Sequence, residues 1–131
     1  MIGLDTNTLV RYLLRDDDKQ ALRLAVRLDD EIESGHTLLI NDIVLVELIW
    51  VLKNRYGFDK KALMAVVEKL LGSPNFEFEN RDVTLAALVL FKSSKAGLSD
   101  CLIGAKNKRL GCETTLTFDR DAAKMGTFNV I

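Results

Sequence analysis

The side chains of this chain best placed to do chemistry together are four carboxylates. Asp5 closes the short apolar run at the start of MIGLDTNTLVRYLLRDDD, Glu47 lies inside IVLVELIWVL, Asp100 belongs to GLSDCLIGAKNKRLG, and Asp119 ends TLTFD. Each aspartate alone has a plain structural use, because helix N-termini favour Asp as a cap or first-turn residue. Glu47 is different. Its neighbours three and four residues away are Ile43, Val44, Trp50 and Val51, which predicts a carboxylate on an apolar helical stripe. An ionised, unpaired group there is costly, so Glu47 is expected to be neutral, paired with Lys or Arg, in reach of the surface, or bound to metal.

Taken together the acids say more. Carboxylates within a few ångströms of one another repel, and some take up protons unless a hard cation compensates. Oxygen donors without His or Cys partners favour Mg²⁺ or Mn²⁺ over zinc. The single histidine, His36, follows Gly35 in an expected surface turn, which argues against a Ser-His-Asp arrangement. What remains is metal-assisted hydrolysis, in which a bound cation activates water and offsets charge on a phosphate oxygen.

The elements that must position these acids alternate. Ile2 to Leu4 reads as a strand, followed by helices to about Ser34. Leu38 to Ile40 reads as a second strand, followed by helices over Asp42 to Arg55, capped by Asn41, and Asp59 to Leu71. Gly72-Ser73-Pro74 is a break, and Phe76-Glu77-Phe78 alternates as a short strand. Helices over Asp82 to Lys92 and, with Ser99 as cap, to Leu110 precede strands at Thr114 to Thr117 and Phe128 to Ile131. This pattern predicts an α/β fold: a parallel sheet of four to five short strands with helices on both faces. Ligands bind such sheets at the carboxyl ends of the strands, where Asp5 and Asp119 are expected.

Composition bounds the rest. A chain of 131 residues, 48% hydrophobic and 28% charged with one proline, fits one folded domain over 1–131. No apolar run approaches the roughly 20 residues that span a bilayer, and no secretory signal is visible, so a cytoplasmic location is the default expectation. Cys101 and Cys112 are too few for paired zinc knuckles and are expected as free, largely buried thiols. The net charge of −1 supplies no global field for nucleic acid, so any such binding must be local.

LDTN after the first strand, the acid in VELIW, the SDCLIGA helix and TLTFDRD resemble, in order and spacing, the four acidic motifs of PIN domains. The resemblance covers the whole chain, and a chain of this length and layout looks most like a VapC-type toxin of a toxin-antitoxin pair. It implies a metal-dependent endoribonuclease hydrolysing RNA phosphodiester bonds, with Asp5, Glu47, Asp100 and Asp119 as the catalytic acids that hold Mg²⁺ or Mn²⁺. It also implies a homodimer and a cognate antitoxin that covers the active site. Thr6, Asn7 and Thr117 are expected to orient carboxylates or water. Arg11, Arg15, Lys92 and Lys95 are candidates for RNA phosphate contacts, with FKSSKAGLSD the best segment because it leads into the Asp100 helix.

The last motif holds two acids, and Asp121 is read more simply as a cap or first-turn residue than as the fourth ligand. PIN domains often carry a further acid in the Asp100 helix, but Ile103 and Gly104 stand three and four residues on. A single firmly held ion is therefore expected. Trp50 is expected in the core or at a dimer surface rather than on a substrate platform. Two other readings compete: a PIN-like interaction module without activity, and a Mg²⁺-dependent small-molecule phosphohydrolase. The second is disfavoured because Asn7 stands where such enzymes place a second acid.

Overall fold

A computed structural model describes residues 1–15 and 18–131, and the stretch expected to be helical up to Ser34 crosses Asp16 and Asp17, which lie outside the described residues. The chain divides into two compact units, Met1–Glu79 and Asn80–Ile131.

In the first unit the apolar starts of the repeating pattern become three parallel strands, β1 (Ile2–Gly3), β2 (Leu38–Ile40) and β3 (Phe76–Phe78), with β2 between the others. Gly3 is in register with Leu39 and Leu39 with Glu77, so the three carboxyl ends share one edge. The intervening helices are α1 (Thr6–Leu14), α2 (Lys19–Glu33), α3 (Asp42–Asn54) and α4 (Lys60–Gly72). Each starts on a side chain that accepts an orphan backbone N–H: Asp5, Asp18, Asn41 and Asp59. The cap at Asn41 is the expected one, and α1 begins at Thr6, directly after Asp5.

The core of this unit is aliphatic. Leu9, Leu38, Ile40, Leu45, Leu48 and Leu52 are almost completely buried, each burial favouring the fold by about 1.5–3 kcal/mol. His36 is exposed on its turn after Gly35, as expected, and its Nδ1 lies 2.7 Å from Glu31 Oε2.

The second unit contains α5 (Arg81–Ser93), α6 (Leu98–Arg109), β4 (Thr115–Thr117), α7 (Arg120–Ala123) and β5 (Phe128–Val130). Helices α5 and α6 pack along each other, and β4 pairs in parallel with β5. Ser99 does not cap α6: the helix starts at Leu98 and the cap position is Gly97. The reason is packing, since Leu98 is buried and belongs to the first turn rather than to the approach. Gly104 allows α6 to meet β5 closely, because a Cβ there would stand 2.4 Å from Phe128 Cε2. Both cysteines are free, and Cys101 is buried, but Cys112 is exposed, contrary to expectation. Cys112 follows Gly111 in the turn beyond α6, an exposed stretch in which Leu110 is also 72% exposed.

Among the described residues, five short strands, in sheets of three and two, and seven helices give the α/β class expected from the alternation. Among the described residues no helix is long and apolar enough to cross a membrane.

Candidate active site

The carboxyl edge of the three-stranded sheet is built by the turns from strand into helix. Leu4 still donates its N–H to Leu39 O at 3.2 Å, and the next residue, Asp5, turns the chain into α1. Asp5 Oδ1 accepts the Thr8 N–H at 2.8 Å. This hydrogen bond, joined by one from the Thr8 hydroxyl, holds the exposed Asp5 carboxyl below its ordinary value of 3.8. Asp5 is therefore a helix cap and an accessible carboxylate at neutral pH.

Asn41 and Glu79 occupy the same edge. Asn41 Oδ1 accepts the Val44 N–H at 2.9 Å, and Glu79 Oε1 accepts the Asp42 N–H at 2.9 Å. Two oxygens thus satisfy the start of α3. Glu79 escapes the reading of motifs because it belongs to none of them. Its signal was the same one that marks Asp5, an acid directly after a strand.

Glu47 lies on α3 but is not stranded among buried groups: it is exposed. The expected cost of desolvation is absent because α3 is apolar around most of its circumference. Val44, Leu45, Leu48, Ile49 and Leu52 face inward, whereas Ile43 and Trp50, at 70% and 54% exposure, share the outward side with Glu47. Trp50 is accordingly not a core residue. Glu47 lines an open cavity of about 480 Å³ together with Thr6, Asn7, Trp50, Arg55 and Tyr56. Thr6 and Asn7 are the two residues after Asp5, so the first and second acidic motifs both supply groups to this neighbourhood.

Asp100 stands in the first turn of α6, half-buried, with Oδ2 3.8 Å from the position a Cβ on Gly97 would take. Asp119 ends the turn after β4 and caps α7, with Oδ1 accepting from Asp121 N at 2.8 Å and Ala122 N at 3.3 Å. Asp121 is in the first turn of α7, and its Oδ1 lies 3.8 Å from Lys124 Nζ. Thr117 Oγ1 accepts the Asp119 N–H at 3.0 Å, so this hydroxyl fixes the backbone that carries the acid.

The basic candidates differ in their commitments. Lys92 and Lys95 are exposed on the last turn of α5 and the connection to α6. Arg11 donates to Gln20 Oε1, and the Arg15 guanidinium lies 4.9 Å from the centre of the Tyr12 ring, so both have local partners while remaining exposed.

No three His, Cys, Asp or Glu side chains among the described residues are grouped so that they could hold a metal ion. The first unit brings Asp5 and Glu47, the second Asp100 and Asp119. These donors are all carboxylate oxygens, which suit a hard cation. Mg²⁺ commonly keeps several waters and takes only one or two protein carboxylates, with substrate phosphate completing the shell, so it does not require a ready-made protein cage.

Comparison with known proteins adds an independent line. The chain is 26% identical over 124 residues to a VapC ribonuclease of Aquifex aeolicus (strain VF5), an alignment covering 94% of this chain and 90% of that protein. The family model of the PIN domain matches residues 2–127, running through all four acidic segments, and the chain belongs to the PIN domain family.

Proposed function

We propose that this chain works as one PIN domain and is a metal-dependent endoribonuclease of the VapC type, cutting RNA phosphodiester bonds in the cytoplasm and restrained by a cognate antitoxin. Asp5, Glu47, Asp100 and Asp119 are its metal-binding acids, and a homodimer is its working form. The observation that carries the reading is the shared cavity of Glu47 with Thr6 and Asn7, because it joins two acidic motifs separated by some forty residues of chain. Family membership and the ribonuclease name of the relative support the same chemistry.

A bound Mg²⁺ or Mn²⁺ would supply Lewis-acid stabilisation of phosphate oxygen and a more acidic water. The chain's own groups prepare for this. The Thr8 N–H keeps Asp5 ionised and fixes its rotamer. Thr117 sets the turn at Asp119, and Thr6 and Asn7 offer a hydroxyl and an amide beside Glu47. Lys92 and Lys95, with Arg11 and Arg15, supply positive charge for RNA phosphates, contacts that position the strand without reading its bases. Ile103 and Gly104 in place of a further acid favour one firmly held ion.

The test is cleavage of RNA by purified, antitoxin-free protein. Activity should appear with Mg²⁺ or Mn²⁺ and disappear with a chelator; equal activity in chelator would exclude the metal mechanism. Protein that binds no divalent cation and cuts no RNA would instead be an interaction module.

A further inference from the structure

We propose that the cavity beside Glu47 takes one unpaired RNA base, stacked on Trp50. This inference rests on the ribonuclease reading above and assigns its site a place for the substrate base.

The helix and its exit build the cavity. Helix α3 ends at Asn54, whose Nδ2 donates to Trp50 O at 2.9 Å, and Arg55 occupies the C-cap. Gly57, at φ +68°, then turns the chain away, a backbone conformation that side-chain-bearing residues rarely adopt. Arg55 and Tyr56 are thereby left on the same cavity wall as Trp50. The Arg55 guanidinium lies 5.9 Å from the centre of the Trp50 ring. Trp50 is 54% exposed and Tyr56 equally so, an unusual amount of bare aromatic surface for two residues of one cavity.

The chemistry of the walls selects the occupant. A volume of about 480 Å³ falls in the range of small-ligand sites. The Trp50 and Tyr56 rings share the wall with Val10 and Val51, so a neutral planar group finds apolar faces there, whereas phosphate belongs with the cation that Glu47 would help to hold. Base–aromatic stacking tolerates any base, and an Arg beside the ring adds cation–π attraction. The Asn7 amide offers both a donor and an acceptor for a base edge. A base already stacked in an A-form helix presents no free face, so the ligand is single-stranded or splayed from a loop. A second copy of the chain could also cover Trp50, but the concave wall with Thr6, Asn7, Glu47 and Arg55 favours a small planar group over a protein surface.

Trp50 is the single tryptophan of the chain, so its emission reports on this cavity alone. The experiment titrates the protein, in chelator so that no RNA is cut, with a short single-stranded oligouridylate and with an RNA duplex of equal length. The single strand should quench Trp50 emission and the duplex should not. Affinity of a labelled oligouridylate, read by anisotropy, should fall about 5- to 100-fold in Trp50→Ala and stay near wild type in Trp50→Phe, which preserves a stacking face. Far-UV circular dichroism checks that both variants are folded. Wild-type affinity in Trp50→Ala, emission unmoved at saturation, or no binding at all overturns the proposal. So does emission that follows protein concentration and ignores RNA, the signature of an interface between copies. RNA stacked on Trp50 with no cleavage on adding Mg²⁺ or Mn²⁺ would refute the ribonuclease reading instead, while cleavage with undiminished binding in Trp50→Ala would refute only the stacking.

Discussion

Asp5 Oδ1 accepts the Thr8 N–H at 2.8 Å, so the first of the four proposed metal-binding acids is also the cap that starts α1. The two roles need different things from the side chain. Capping needs one acceptor oxygen, which Asn supplies as well as Asp; metal binding needs the negative charge. Asp5→Asn should therefore keep its thermal stability within a few tenths of a kcal/mol and lose metal-dependent cleavage. Asp5→Ala should lose cleavage and also about 1 kcal/mol of stability, measured by denaturant unfolding. Full activity in a stable Asp5→Asn would leave the residue a cap and nothing more.

The same hydrogen bond sets a pH dependence. The folded-state pKa of Asp5 is depressed below 3.8, so its contribution is present above the unfolded value and is lost as pH falls through the folded one. Asn caps without titrating. The stability difference between wild type and Asp5→Asn should thus be flat above about pH 5 and move in favour of the variant below about pH 3.8. Urea melts of both proteins across that range check the sign. A difference that moves the other way would mean that Asp5 is not stabilised in its ionised form.

Much of the fold is legible in the sequence. Asn41 announces its helix, because a cap followed by an apolar run is a local signal, and Asp59, expected as the first residue of the next helix, is its N-cap. The position of Asp5 after the first strand was equally local. The face of α3 is not legible: a helix apolar nearly all round has no period to say which side is inward, so the sequence leaves Glu47 between an apolar stripe and the surface and Trp50 between core and dimer surface, and both are exposed. The start of α6 failed for a related reason, since Leu98 joins the helix through tertiary packing and not through the serine beside it. Glu79 carries only the signal of an acid directly after a strand, and its part in the site comes from a long-range partner, the Asp42 N–H that it accepts.

Gly104 offers a test of the second unit. An added Cβ would meet Phe128 Cε2 at 2.4 Å and Thr127 Oγ1 at 3.1 Å, against a ring that is 4% exposed. Gly104→Ala should destabilise by about 1–3 kcal/mol, the usual cost of overpacking, despite the higher helix propensity of alanine. Chemical denaturation measures it; a more stable variant would show that α6 and β5 are less closely packed than described.

Metal binding should be visible without RNA. If Mg²⁺ meets the ionised acids of the folded state and not of the unfolded chain, Mg²⁺ at about ten times its dissociation constant adds roughly 1.4 kcal/mol of stability. That corresponds to a rise in Tm of about 2–6 °C for a chain of this size. Thermal melts of wild type and Asp100→Asn, with and without millimolar Mg²⁺, read it directly. The rise should be absent or much smaller in the variant.

The central claim is that four named carboxylates carry RNA cleavage, and the most direct measurement is a side-by-side ribonuclease assay of antitoxin-free proteins. Wild type, Glu47→Gln, Asp100→Asn, Asp119→Asn and Asp121→Asn would be compared at fixed Mn²⁺, with circular dichroism confirming the fold. Losing a metal-binding acid should cost more than the roughly 10- to 100-fold typical of groups that only support one. The account predicts such losses at Glu47, Asp100 and Asp119 and near-normal activity at Asp121. Cleavage by Asp100→Asn at the wild-type rate would contradict it.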